Sequence, residues 1–398
     1  MIATFVIPFY GENIGGGAET HCRRLVENLS FRGIETEVLT TTLRDLGTHW
    51  NSHYHNPGIY SINGVTVRRF SPRLVDTDVF VPINEKLMAR QKISFEEEVF
   101  FTENAINSDE LFAFIGDNQK DRIYFFMPYC FGTSWNGTRV APWKSFLIPC
   151  LHDEGYADMI QTRRMFDRAS GVLFNSAAEM SLAMEKYDGL KMTEVMLMGE
   201  GVDEVGTAYP EKFRKTYGLG DKPFIVYVGR RDVTKNTPFL VECFAKYKKN
   251  NPSSQLKLIL MGSGSVQVPA SVMEDTLDLG FVTEQVKRDA ISASTALCQP
   301  SVMESFSIVI MESWRLGRPV LVHSACGPTS DHARASGGGF IFGDFAEFED
   351  AVNRLLADSS TASEMGKRGQ EYVEQNYSWG VICRRFKKLI ESCGELVF

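Results

Sequence analysis

The sequence contains no hydrophobic run that approaches the 18 residues of a membrane-spanning helix, and its first residues lack the layout of a signal peptide. Its eight cysteines include no C-x-x-C pair, which argues against a zinc motif and against a disulfide framework. No G-x-G-x-x-G motif with an acidic partner is present, which disfavours a dinucleotide-dependent oxidoreductase. From these absences we expect a cytoplasmic protein.

Positive charge is also scarce. The net charge of −8 disfavours a general nucleic-acid partner. The 398 residues are 43% apolar and 23% charged, which is typical of a globular chain long enough for two domains. Strand and helix patterns alternate through both halves without a visible internal repeat. This rhythm predicts an α/β fold with two doubly wound domains and a cleft between them.

The most informative stretch runs from Cys298 to Pro319. A short apolar run predicts a strand at its start, and apolar residues at helical spacing predict a helix from Ile308 onward. Ser305 and Ser307 are both candidates for the N-cap of that helix. Because ligands of such sheets bind outside the carboxyl ends of the strands, the loop before the helix is a candidate binding segment.

Glu304 lies in that loop and Glu312 lies two turns into the helix, an E-x7-E pair. Eight residues of helix span roughly 12 Å, which exceeds the roughly 5 to 9.5 Å between the carboxyl groups of a glycoside hydrolase. The pair therefore suits two ends of an extended ligand, with the free N–H groups of a helix start between them to favour an anion. This order matches a sugar, a diphosphate and a ribose. The alternative is two solvated glutamates.

A glycine-rich loop, Phe9 to Gly17, follows the first predicted strand and leads into a predicted helix, Ala18 to Leu29. Glycines at the start of a helix let the backbone approach a phosphate closely, which makes Gly16 and Gly17 candidate phosphate-binding residues. The alternative is a flexible turn.

Arg230 and Lys235 follow a predicted strand in the second half and precede a helix. Two cations at such a place can hold a diphosphate, although a surface pair is the alternative. His152 follows a strand of the first half and could donate or accept a proton near neutrality. It could instead be a capping or core histidine.

The segment from Leu43 to Gln119 is the hardest part to interpret. Its pattern predicts a helix from Asn84 to Phe114. Asp76 and Asp78 have the D-x-D form that binds a divalent metal in some transferases, but a solvated loop is the favoured interpretation, and no metal site is predicted.

Taken together and in order, these pieces resemble the retaining GT-B glycosyltransferases of family 4. The matching residues are Gly15 to Glu19, His152, Gly201 to Asp203, Gly229, Arg230, Lys235, the segment from Pro300 to Glu312, Gly317 to Val320, and Tyr377 to Trp379. The resemblance implies a GT-B fold. It implies an acceptor-binding Rossmann-like domain over residues 1–205, a nucleotide-sugar-binding one over 206–378, and a helix over 379–398 that returns to the first domain.

Residue roles follow from the same resemblance. The catalytic residues would be Arg230, Lys235, Glu304 and His152, where the two cations bind the donor diphosphate and Glu304 binds the donor sugar. Donor-binding residues would be Gly16, Gly17, Val282 near the base, Phe306, Ser307, Ile308, Val309, and Glu312 on the ribose. The sequence departs from the family at Ser307, where glycine is usual, and at Glu200, where asparagine is common.

The implied function is transfer of a hexose-type sugar from a UDP- or GDP-linked donor to a glycan, lipid-linked or small-molecule acceptor. The resemblance further implies retention of configuration and no metal or other cofactor. Residues 43–119 would bind acceptor, or make a peripheral contact with the cytoplasmic face of a membrane. A nucleotide-sugar epimerase of the same fold is the alternative, and a non-catalytic sugar-nucleotide-binding protein is a third hypothesis.

Overall fold

The protein, described from a computed structural model, consists of two compact α/β units. The first unit is Met1–Gly201 together with the chain from Trp379, and the second is Val202–Ser378. The division falls shortly before the domain boundary predicted at residue 205. The structure describes residues 1–12, 14, 16–231 and 235–395. Within these residues, no helix combines the length and the apolar character needed to cross a bilayer.

The first unit is built on an eight-stranded sheet in the order β3-β4-β2-β1-β5-β6-β7-β8. All neighbours pair in parallel except β3 with β4. The central strands are buried on both faces, as is usual where helices cover both sides of a parallel sheet. The strands are β1 (Ile2–Val6), β2 (Thr36–Thr41), β3 (Gly58–Ile62), β4 (Val65–Phe70), β5 (Arg122–Phe126), β6 (Ser145–Leu147), β7 (Gly171–Phe174) and β8 (Glu194–Leu197).

Among the described residues, α-helices alternate with these strands, and a further helix joins the same unit from the end of the chain. The alternating helices are α1 (Gly17–Phe31), α2 (Thr77–Met88), α3 (Phe95–Asn104), α4 (Asp109–Asp117), α5 (Gly132–Gly137), α6 (Ile160–Arg168) and α7 (Ala177–Lys186). Short 3-10 helices span Pro142–Lys144, Gly155–Asp158 and Asp188–Met192.

The predicted single helix from Asn84 to Phe114 is wrong. The chain forms three helices there, because new N-caps interrupt the pattern: Ser94 and Glu97 form a capping box at the start of α3, and the Ser108 side chain caps α4. The β3–β4 hairpin in the same region was not predicted.

The second unit has a six-stranded, wholly parallel sheet in the order β11-β10-β9-β12-β13-β14. Counted from its first strand, this is the 3-2-1-4-5-6 order of a Rossmann fold, with its topological switch point between β9 and β12. The strands are β9 (Phe224–Val228), β10 (Lys257–Met261), β11 (Thr276–Asp278), β12 (Ala296–Gln299), β13 (Val320–His323) and β14 (Gly339–Phe342).

Helices of the second unit alternate with its strands. They are α8 (Pro210–Thr216), α9 (Thr237–Asn250), α10 (Glu284–Ala293), α11 (Ile308–Arg315), α12 (Gly327–Ser336), α13 (Phe345–Ala357) and α14 (Ser359–Tyr377), with a 3-10 helix at Ala270–Asp275. The predicted α/β class with two Rossmann-like sheets is confirmed.

The last helix, α15 (Trp379–Glu395), belongs to the first unit. Its Phe386 ring lies 6.3 Å from the ring of Phe5 and 5.6 Å from that of Phe125, measured between centroids. A Cβ on Gly201 would lie only 2.2 Å from ring atoms of Trp379, so glycine is needed there. The chain therefore returns to complete the core from which it started.

Candidate functional site

The loops at the switch point of the second unit carry the predicted donor-site residues. Strands β9 and β12 are neighbours, with Ala296 opposite Ile225 and Leu297 opposite Val226. Both strands run in the same direction, so the loop with Arg230 and the loop with Glu304 leave the same edge of the sheet. This is where ligands of doubly wound sheets bind.

Lys235 and Glu304 are in direct contact across this edge. The Lys235 Nζ lies 2.8 Å from the Glu304 Oε1, and the two side chains are only 21% and 12% exposed. The next residue, Asn236, donates a hydrogen bond from its side-chain Nδ2 to the Pro300 carbonyl at 3.2 Å. Two loops that are far apart in sequence are thus fixed to each other, with a cation and a carboxylate at the junction.

Arg230 is exposed, while its neighbour Arg231 is buried. The Arg231 guanidinium forms an ion pair with Asp278 and donates to the Gly262 carbonyl at 2.7 Å. Burial alone would raise the pKa of Asp278, but the hydrogen bond from Arg231 lowers it below its ordinary value. Arg231 therefore anchors the strand end from which Arg230 projects. Residues 232–234 lie outside the described residues.

The backbone at the start of α11 has a left-handed conformation, which favours glycine. Ser307 is the N-cap residue, with φ 74° and ψ 76° in the left-handed region, and its hydroxyl makes no capping hydrogen bond. Ser307, one of the two predicted N-cap candidates, therefore holds the N-cap position of α11 but does not cap the helix with its side chain. The Ser307 carbonyl accepts from the amide of Ile310 at 3.2 Å. The amides of Ile308 and Val309 come before the first intrahelical donors, as at any helix start.

Phe306 is held in an aromatic cluster beneath this helix start. Its ring centroid lies 5.0 Å from that of His332 and 5.0 Å from that of Tyr377, both in edge-to-face geometry. The ring is 1% exposed, so its side chain packs in the core and only its backbone can serve a ligand.

Glu312 is paired with a lysine that sequence reasoning missed. The Lys287 Nζ lies 2.9 Å from the Glu312 carboxylate and 2.8 Å from that of Glu284. Burial alone would lower the pKa of Lys287, but these two carboxylates raise it above its ordinary value. Lys287 lies on α10, and the predicted base-binding residue Val282 comes just before Thr283, the N-cap of that helix. No motif signals Lys287, because its role depends on how α10 packs.

Gly16, Gly17 and His152 belong to the first unit. Gly16 is the N-cap of α1 at φ 141° and ψ 148°, and its carbonyl accepts from the amide of Thr20 at 3.1 Å. A Cβ on Gly17 would meet no atom within 4 Å, so its backbone borders open space.

His152 lies five residues beyond the end of β6, in a loop held by ion pairs. Its neighbour Asp153 contacts Arg90 and Lys186, each at 2.7 Å. Hydrogen bonds from Lys186 and Arg90 lower the pKa of Asp153 below its ordinary value. The loop that carries His152 is therefore fixed to the body of the first unit.

Asp76 and Asp78 begin α2. The Asp76 side chain caps the helix by accepting from the amide of Asp78 at 3.2 Å. This structural role accounts for the D-x-D spacing.

Comparisons with known proteins agree with this geometry. Residues 210–372 match the family model described as glycosyl transferases group 1. An uncharacterized glycosyltransferase of Methanocaldococcus jannaschii is 22% identical over 98% of this chain and 97% of its own length. The D-inositol 3-phosphate glycosyltransferase of Corynebacterium aurimucosum is 23% identical, but the match covers only 59% of this chain and 60% of that protein.

Among solved structures, an E. coli trehalose-6-phosphate structure bound with UDP-2-fluoro glucose aligns over all of both chains at 11% identity with a TM-score of 0.72. The fold is GT-B. The family match falls within the second unit, and the matches together support a glycosyltransferase.

Proposed function

We propose that this protein transfers a hexose-type sugar from a nucleoside-diphosphate donor to a sugar-containing acceptor, with retention of configuration and without a metal. The observation that carries the proposal is the Lys235–Glu304 pair at the switch point of the second unit, beside the loop that enters α11. A UDP-linked sugar is the favoured donor, because a solved structure of similar fold holds a UDP-sugar analogue.

The donor diphosphate would bind between Lys235, Arg230 and the amides of Ile308 and Val309. Cleavage of the sugar–phosphate bond leaves negative charge on the departing nucleotide and positive charge on the sugar. Fixed cations and helix N–H groups stabilise the developing negative charge without reorganising. The diphosphate would share Lys235 with Glu304, whose carboxylate then accepts hydrogen bonds from hydroxyls of the donor sugar.

The nucleoside would extend toward α10. Glu312, held by Lys287, would accept hydrogen bonds from the ribose hydroxyls, and the base would lie against the segment at Val282. The Glu312 side chain is held in place, because both of its carboxylate oxygens lie 2.9 Å from the Nζ of Lys287.

The first unit would bind the acceptor, with His152, Gly16 and Gly17 as its candidate site residues. No described carboxylate of the predicted site is an evident nucleophile, since Glu304 and Glu312 are each paired with a lysine. We therefore favour attack by the acceptor hydroxyl on the same face from which the nucleotide leaves.

The test is Lys235→Ala with UDP-glucose and GDP-mannose as donors. Loss of one hydrogen-bond donor to a developing anion should raise the activation free energy by about 2 to 4 kcal/mol, which lowers turnover roughly 30- to 1,000-fold. Release of free nucleotide in the presence of acceptors measures it. Lys246→Ala is the matched control, because Lys246 lies on the exposed face of α9 and pairs only with Glu242 among the described carboxylates. Near wild-type turnover of Lys235→Ala would remove it from the mechanism.

A further inference from the structure

A cavity lies wholly within the first unit, and most of its lining comes from the segment whose sequence was hardest to interpret. Its volume is about 460 Å³, within the usual range for a small-molecule site. It opens beside the loop that leads from β1 toward Gly16. The side chains and backbone that line it come from Gly11, Glu12, Ile14, Arg44, Tyr54, His55, Ser61, Ile62, Asn63 and Arg69.

Arg69 is the buried cation of this cavity. It extends from the end of β4 and is only 4% exposed. Its guanidinium donates to the carbonyl of Tyr10 at 2.7 Å and to that of Thr41 at 3.2 Å. Among the described residues no carboxylate pairs with it. Burying a guanidinium that no acid neutralises costs desolvation free energy, and a bound anion would offset that cost.

Two further basic groups face the same space. The Arg44 guanidinium lies 5.1 Å from the Tyr54 ring centroid, and His55 is held by a hydrogen bond from its amide to the Thr42 carbonyl at 2.9 Å. Burial lowers the pKa of His55, and the charges of Arg69 and Arg44 lower it further, so the imidazole is favoured in its neutral form beside these two cations.

The carboxylates near this cavity contact groups other than Arg69. Glu27 accepts a hydrogen bond from the lining residue Asn63 at 2.8 Å. Asp45 approaches only the Nε of Arg44, at 3.4 Å, and is also engaged by the amide of Gly47 at 3.0 Å. Glu12 is the one acid among the described lining residues, and it is exposed. The buried part of the lining is therefore cationic through Arg69, while Tyr54 and Ser61 line the cavity from exposed positions.

We infer that this cavity binds the phosphate group of a phosphorylated acceptor, with Arg69 and Arg44 as the anion-binding residues. The inference rests on the proposed function, since it names the acceptor class of the same transfer reaction. Arg69 is tied to the loop that leads to Gly16, so an acceptor held here would lie at the edge of the sheet where the first unit carries its glycine-rich helix start. Its phosphate would be recognised by paired guanidinium donors, as arginines commonly recognise phosphate.

The experiment measures binding by calorimetry in the presence of saturating UDP. The probes are hexose and inositol monophosphates, each beside its unphosphorylated counterpart, and phosphatidylcholine vesicles with and without phosphatidylinositol. We expect a phosphate ester to bind about tenfold or more tightly than its counterpart, the effect of one charge-assisted hydrogen bond. Binding of soluble esters or of phosphatidylinositol vesicles alone would each support the site and identify the source of the phosphate.

Variants locate the binding. Arg44→Gln and Arg69→Met should each weaken binding of the phosphate ester by about tenfold and leave UDP binding unchanged. Arg32→Gln, an exposed arginine at the other end of α1, is the control and should change neither. Unchanged UDP binding shows that the second unit of each variant is folded, and an unchanged thermal unfolding profile shows the same for the first unit, which carries the substitutions.

The inference is overturned if phosphorylated and unphosphorylated compounds bind equally, or if both variants keep the preference. Those results would leave the proposed function intact as long as UDP binds. A wild-type protein that binds neither UDP nor GDP would instead overturn the proposed function.

Discussion

At the residue scale, the two glutamates of the E-x7-E pair share one feature: each is held by a lysine. Glu304 contacts Lys235, and Glu312 contacts Lys287. Three of these four residues were candidates from the sequence: the two glutamates through their spacing, and Lys235 through its position between a predicted strand and a helix. Lys287 could not be predicted, since nothing in the sequence indicates which face of α10 meets α11.

His332 gives a prediction about pH. It is 4% exposed, and burial lowers its pKa to about 3, whereas the unfolded chain has the ordinary value of about 6.5. Between these two pKa values the unfolded state binds a proton at His332 and the folded state does not. The free energy of unfolding is therefore undiminished above about pH 6.5 and decreases as pH falls toward 3. At pH 5 the loss should reach about 2 kcal/mol.

The measurement is the melting temperature of the wild type and of His332→Gln at pH 7 and pH 5. The drop between the two pH values should be smaller in the variant by roughly 4 to 8 °C. His49→Gln, at an exposed histidine, should show the wild-type drop. An equal drop in wild type and His332→Gln would mean that the buried imidazole accepts the proton without cost.

At the element scale, the helix starts explain which helices were predicted correctly from the sequence and which were not. The start of α11 at Ile308 was predicted correctly, because apolar spacing and a loop agree there. The three helices α2, α3 and α4 were merged, because Ser94 and Ser108 were not weighed as caps against a continuous apolar pattern. Local capping chemistry outweighs periodicity in such a segment.

The backbone at Ser307 gives a prediction at this scale. A left-handed conformation costs a residue with a Cβ roughly 1 to 2 kcal/mol, and Ser307 obtains no capping bond in return. Ser307→Gly should therefore be more stable than Ser307→Ala by about 1 kcal/mol, after the greater freedom of glycine in the unfolded chain is counted. Urea unfolding of the two variants measures this difference. A more stable alanine variant would show that the left-handed conformation is not strained.

At the scale of the whole molecule, both Rossmann-like units could be predicted from the alternation of strands and helices. The hairpin β3–β4 could not, because β3 is an exposed edge strand without the buried alternation that marks a strand. The basic residues of the cavity in the first unit, Arg44, His55 and Arg69, are likewise scattered over this segment without a motif. They come together only because β4 pairs with β2 and the loop after β2 folds back.

Helix α15 gives the prediction that belongs to the whole chain. Phe386 is 1% exposed and fills the space beside Phe5 and Phe125. Phe386→Ala should destabilise the first unit by about 3 to 5 kcal/mol. Thermal unfolding should show an earlier first transition, while Lys387→Ala, at the exposed neighbouring position, should leave it unchanged. A Phe386→Ala protein that unfolds like the wild type would show that α15 is dispensable to the core.

The most direct test of the account is the affinity of the protein for UDP and GDP, measured by calorimetry on the wild type, Glu312→Gln and the surface control Glu242→Gln. We predict that one of the two nucleotides binds the wild type and Glu242→Gln equally, and binds Glu312→Gln about tenfold more weakly, through loss of a charge-assisted hydrogen bond to ribose. Absence of nucleotide binding to the wild type, or equal binding to all three proteins, would contradict the claim that the second unit holds a nucleoside-diphosphate sugar at its switch point.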